Sequence, residues 1–304
     1  MAFTPLYGYT PNPAGTQKFL RSLPKPTLAD AGPALTLDTS KDVFLGSALL
    51  ACDQHWRRGS QQIGSCVGWG WALAVDILAA CDIHLRGEAE VWGGQTLAAS
   101  IYGFSRVEVR GQRNLGGDGS YGGAAAKAVT KYGTLHLGQD YGGQRFTDQN
   151  GKREKAWGRD GVPDELEAYA ARHTVSDVAL IRSFEDCVRA LQSAYPSAIC
   201  SMQGFDMRLE NGYMRTSRTP WPHCQMAAGV RWKPEPAILV VNSWGDCYSG
   251  TYDTSLPPAF QRSAGWVRAD DFTRMLAGED SFALSGYSGF QPRAIPENWL
   301  RGIM

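Results

Sequence analysis

The stretch GSCVGWGWALAVDILAA, residues 64–80, decides the fold. Leu73 and Ile77 lie four apart and Ala80 completes the same side, which predicts a helix entered at Ser65. The 14 residues Val67 to Ala80 contain Asp76 and fall short of the roughly 20 needed to span a bilayer, so a buried helix is expected and no membrane span. Cys66 sits at the start of that helix, where unpaired amides and the helix dipole favour a thiolate. By itself such a cysteine is equally a small buried hydrophobe.

Outward from this segment, composition bounds the answer. The 304 residues, 43% hydrophobic, suffice for one large domain or two modest ones. Thirty basic residues balance 30 acidic ones, which argues against wholesale disorder and against a nucleic-acid footprint. Seven cysteines are too few and too irregular for a disulfide scaffold. The opening MAFTPLYGYTPNPAG lacks the basic and apolar regions of a secretory signal. A cytoplasmic or other reducing compartment is therefore expected.

Residues 1–45 carry proline every few positions and no sustained period, and read as an extended arm, either a strap on its own domain or a partner-binding segment. A helix is expected through GGAAAKAVTKYG, where Gly122 and Gly123 precede an alanine-rich run that Gly133 can end. Shorter surface helices are expected over 164–172 and 184–193, and FTDQNGKREKAWGRDG, 146–161, reads as a solvated excursion. The later chain changes period: Asn211-Gly212 suits a hairpin turn, Ala237 to Val241 a central strand, and the residues after Gly265 another. A helical lobe over about 60–165 and a strand-rich lobe over about 166–275 follow, within a domain of 46–275, with 276–304 as a C-terminal extension.

A nucleophilic cysteine needs a base, which is often remote in sequence. His223 enters a strand that ends near Gly229, and Asn242 follows the apolar run AILVV. In neighbouring strands these residues can set imidazole beside thiol and amide beside imidazole, as nucleophile, base and orienter.

With these residues the sequence resembles the papain-like (C1-like) cysteine peptidases. Four blocks fall in that family's order: Gly64-Ser65-Cys66, the paired glycines 122 and 123, His223 with Gly229, and Asn242-Ser243-Trp244-Gly245. The resemblance covers roughly residues 56–270. The resemblance implies a two-lobed α+β fold, with an antiparallel, barrel-like sheet in the second lobe and a cleft between the lobes. It further implies thiol-dependent hydrolysis of peptide or isopeptide bonds by Cys66, His223 and Asn242, with Trp244 shielding the Asn242 contact. Gly122 and Gly123 would line the substrate cleft, and no cofactor is called for.

Departures from the family pattern are specific. Its oxyanion glutamine lies six residues before the nucleophile, where this chain has Ser60; Gln61, one residue later, is favoured for the role over Gln62. The two family disulfide positions are Ile63 and Ser120, in keeping with a reducing compartment. Only 65 residues precede Cys66, too few for the usual pro-domain. A structural or assembly protein on the same scaffold, such as a virion component held through its arm, is the alternative, and a virion-associated hydrolase would be both. Cys52, His55, Cys81 and His84 form a weak zinc pattern, set below simple hydrogen bonding.

Overall fold

The computed structural model describes residues 5–86 and 91–300. Helices form inside the segment expected to be extended. Asn12 accepts from the Gly15 N–H at 3.0 Å and Pro13 takes the first position of α1 (Pro13–Leu20). Thr27 and Asp30 close a capping box on α2 (Leu28–Ala31). Proline here starts helices, and Phe19 and Leu20 are buried, so among the described residues of this segment the arm is confined to 5–12. β1 (Val43–Phe44) and α3 (Gly46–Cys52) then lead to α4 (Cys66–Arg86).

By composition α4 could cross a membrane, but 89% of its apolar window is buried in this protein, which makes it the core helix. Against it pack α5 (Ala98–Arg106) and α6 (Gly122–Lys131); α7 (Gly151–Asp160) packs on α5, and α8 (Asp164–Ala170) joins α5 and α7 in a second hydrophobic cluster. Thus the stretch read as a solvated excursion holds a helix. Asn150 caps α7 and Gly161, at φ +98°, ends it. Lys152, Lys155 and Arg159 face solvent while Glu154 and Trp157 turn inward, so the charge run described one face only.

The second lobe is a seven-stranded antiparallel sheet. Its strands are β1 with β2 (Asp177–Leu180), β3 (Ser197–Ser201), β4 (His223–Arg231), β5 (Ala237–Val241), β6 (Ala264–Arg268) and β7 (Phe282–Ser285). The order is β6-β5-β4-β3-β7-β2, with β1 against β4. The end strands β6 and β2 do not pair with each other, so the sheet is open and the barrel-like expectation is corrected. A second correction concerns residues 276–304: β7 lies between β3 and β2, so part of the expected extension completes the sheet.

AILVV is an interior strand, flanked by β4 and β6. Asn211 and Gly212, at φ +51° and +81°, form the expected turn and close a Glu210–Tyr213 bridge. No long hairpin grows from it, because Arg208 and Leu209 pair in parallel with Ser249 and Gly250.

The packing of α4 on β4 positions the site. Gly70 permits the close approach: a Cβ there would lie 2.8 Å from Cys224 Sγ. The start of α4 thereby meets the start of β4.

Candidate active site

Cys66 is the first residue of α4 and is fully buried. Its sulfur lies against the backbone N–H groups of Cys224 and Gly8, and desolvation pushes the thiol well above its ordinary range. Cys224, whose backbone N–H meets the Cys66 sulfur, directly follows His223, the first residue of β4. His223 Nε2 and Asn242 Oδ1 are 2.8 Å apart. Trp244 stacks on the imidazole at 4.2 Å between centroids and 22° between planes.

The neighbours of Asn242 settle the proton on His223. Its Oδ1 accepts from the Ser243 N–H at 2.6 Å and its Nδ2 donates to the Tyr248 hydroxyl at 3.0 Å, so the oxygen faces the ring. His223 Nε2 must donate, which leaves Nδ1 as the free lone pair of the neutral ring. That Nδ1 is buried and has no hydrogen-bond partner among the described residues. Burial pushes the imidazole down to about 3 and the Arg58 charge adds a smaller push the same way, against the Asn242 bond, which raises it. Thiol and imidazole are both neutral in this buried state.

This burial couples the closed state to pH. A base held at about 3 when folded and near 6.5 when unfolded contributes stability that is present above pH 6.5 and lost as pH falls toward 3. Urea titrations should show the advantage of the native chain over His223→Gln shrinking by more than about 2 kcal/mol from pH 7 to pH 4. A constant difference would mean that His223 is not buried as a neutral ring.

Gln61 and Gln62 are sent to different places. Gln61 is buried beside the Asn-Ser-Trp block: its N–H donates to the Ser243 carbonyl at 2.9 Å and its Oε1 accepts from Ser243 Oγ at 2.5 Å. Its Nε2 donates to Ile63 O at 2.9 Å and to Leu6 O at 3.0 Å. Gln62 is exposed and accepts from the Gly151 N–H of α7 at 3.2 Å.

Leu6 belongs to the arm, which fills the space over these residues. Its carbonyl also accepts from Trp244 Nε1 at 3.0 Å, and the Tyr7 ring stands edge-on to His223 at 6.5 Å. The N–H groups of Gly8 and Tyr9 donate to Pro222 O at 3.2 and 3.0 Å. On the opposite wall, Ser120 N–H donates to Gly8 O at 2.9 Å and Ser120 O accepts from Thr10 N–H at 2.8 Å. Gly8 is required here, because a Cβ on it would overlap the Gly64 carbonyl.

The paired glycines are engaged differently from their expected cleft role. Gly122 and Gly123 N–H each donate to the Asp280 carboxylate at 2.7 Å, and Thr16 adds a third bond at 2.6 Å. The backbone that meets the extended arm is that of Ser120. Asp280 carries no sequence signal of this role, since it lies 158 residues from Gly122.

The zinc pattern does not assemble. Cys52 Sγ and His84 Nε2 are 3.7 Å apart, but Cys81 is buried in the core and His55 is exposed. Among the described residues no three His, Cys, Asp or Glu side chains form a metal-holding group. All seven cysteines are free thiols.

No family sequence profile matches the chain. No curated protein matches its sequence. Solved structures do: xylellain, a cysteine protease from Xylella fastidiosa, aligns over 94% of this chain and 94% of its own, with a TM-score of 0.56 and 14% identity. The fold is that of the papain-like cysteine proteases. Procathepsin L 3 from the larval midgut of Tenebrio molitor aligns over 89% of this chain and 79% of its own, at a TM-score of 0.49 and 14% identity. Within the papain-like fold, two acidic residues escaped the sequence reading, Asp280 and Glu154. Glu154 is buried and accepts from Ser65 Oγ and, at 3.0 Å, from Trp69 Nε1, residues on either side of Cys66.

Proposed function

We propose that the chain is a thiol-dependent peptidase, acting on peptide or isopeptide bonds and held closed by residues 6–10 of its own arm. The observation that carries this reading is the oriented imidazole: Asn242 fixes Nε2 as the donor and leaves Nδ1 free, beside the residue that touches Cys66. With the arm displaced, His223 Nδ1 takes the Cys66 proton and the sulfur attacks the substrate carbonyl carbon. The carbonyl electron pair moves to oxygen and returns as the C–N bond breaks, the leaving amine taking the proton from His223. Water, giving a proton to His223, then splits the thioester and restores the thiol. Protein or peptide is the substrate class, and no cofactor enters the sequence of steps.

Gln61 is the oxyanion donor in this reading, because its Nε2–H already holds a peptide carbonyl, that of Leu6. Replacing Gln61 by alanine should lower kcat by about 10²–10³-fold, as for loss of one oxyanion donor, while the Gln62→Ala chain keeps most activity. Equal losses in the two variants, read with a fluorogenic peptide, would move the role elsewhere.

One observation favours a second reading, a structural or assembly protein on the same scaffold: the cleft is filled by the chain itself. Labelling the full chain with an epoxysuccinyl electrophile under reducing conditions separates the two. The peptidase reading expects a covalent adduct on Cys66 that is absent from Cys66→Ala and strongly reduced in His223→Ala. Absence of adduct after the arm is displaced supports the assembly reading.

A further inference from the structure

We propose that Glu154 is a positioning residue for Cys66 and that its charge governs how readily the thiol ionises. The inference rests on the reading of Cys66 as the nucleophile. Glu154 is 1% exposed, and its two oxygens grip the first turn of α4 at Ser65 and Trp69, one residue before and three residues after the cysteine. Two other residues of α7 hold the same loop. Gly151 N–H binds Gln62, and Lys155 Nζ binds Asp118 at 2.6 Å, whose other oxygen accepts from Gly64 N–H at 3.3 Å. α7 therefore fixes residues 62, 64, 65 and 69, the frame on which Cys66 sits.

The carboxyl also has a choice of charge. Desolvation pushes Glu154 up to about 7, opposed by its bonds to Ser65 and Trp69 and by Arg153, and reinforced by Asp118. Arg153 shares its charge with Asp148 at 3.2 Å, and Lys155 is paired with Asp118. From β4, His223 is neutral. Ser65 accommodates both forms of the acid. Its hydroxyl donates to the carboxylate, or accepts from the protonated acid and turns toward Ile63 O at 3.4 Å. An ionised Glu154 uses the same positive helix end that a Cys66 thiolate needs, and two anions there raise one another's pKa. A neutral Glu154 leaves that end to the thiolate.

The test is the pH dependence of Cys66 alkylation by iodoacetamide, followed on the Cys66 peptide by mass spectrometry in the full chain carrying Gly8→Leu to displace the arm. Glu154→Gln keeps both contacts and removes the charge, and should move the midpoint of the rate profile down by about 0.5–1 pH unit. Glu154→Ala loses the grip as well and should react at least threefold more slowly than Glu154→Gln at every pH. Ser65→Ala, which keeps Glu154 and its Trp69 bond, should shift the midpoint in the same direction by a smaller step, and serves if the Glu154 variants fail to fold. Unmoved midpoints in Glu154→Gln and Ser65→Ala, or equal rates for Gln and Ala, overturn the proposal. Alkylation reads Cys66 ionisation whether or not any peptide is cleaved, so failure of the peptidase reading would show separately.

Discussion

Gly8→Leu is expected to open the cleft and raise the labelling rate of Cys66 by about tenfold to a hundredfold, the factor set by a steric cost of about 1–3 kcal/mol. The clamp is six hydrogen bonds, two on Leu6 O, two on Pro222 O and two on Ser120. At roughly 0.5–1.5 kcal/mol net each they contribute about 3–9 kcal/mol. Ordering residues 6–10 costs about 5–10 kcal/mol. Gain and cost nearly cancel, so one clash against a rigid backbone carbonyl tips the balance. Release need not disturb the fold, because α1 stays docked through Phe19, Leu20 and the Thr16–Asp280 bond. The thermal midpoint of the variant should stay within a few degrees of the native chain. Unchanged labelling, measured as adduct mass against time, would show that the arm does not control access.

The second large effect concerns the chemistry itself. In the Gly8→Leu chain, Cys66→Ala should remove peptide hydrolysis to background, and His223→Ala should lower kcat by about 10³-fold or more, since nucleophile and base act as one unit. Asn242→Ala should cost less than either, because it removes orientation and leaves the base. It would also strip Tyr248 of a partner, so stability must be measured alongside. A His223→Ala chain that hydrolyses peptides at the native rate would remove His223 from the mechanism.

Much of the site was legible because its signals are local. Cys66 before an apolar run, Asn242 after AILVV and His223 at the entry of a buried strand each mark where an element begins or ends, and with it a candidate side chain. The helix at 122–131, ended by Gly133 at φ +80°, was equally readable. What stayed hidden depends on distant partners. Nothing around Asp280 shows that it caps α6, and nothing in GKREKAWGRD shows that one glutamate among its charges turns inward to Ser65. The prolines of residues 11–33 were read as breaking structure, whereas Asn12 with Pro13 starts a helix. The course of residues 6–10 could not be read, since their hydrogen bonds pair backbone atoms whose partners lie far along the chain. Closure of the sheet was likewise a matter of partners: β7 inserts beside β3 and leaves β2 and β6 as separate edges.

The most direct measurement is the intact mass, and then the modified peptide, of the Gly8→Leu chain after treatment with an epoxysuccinyl electrophile in reducing buffer. The account predicts one adduct, on Cys66, formed faster than in the native chain, missing from Cys66→Ala and slowed at least a hundredfold in His223→Ala. A folded Gly8→Leu chain that takes no adduct at Cys66, or takes it equally fast without His223, would contradict it.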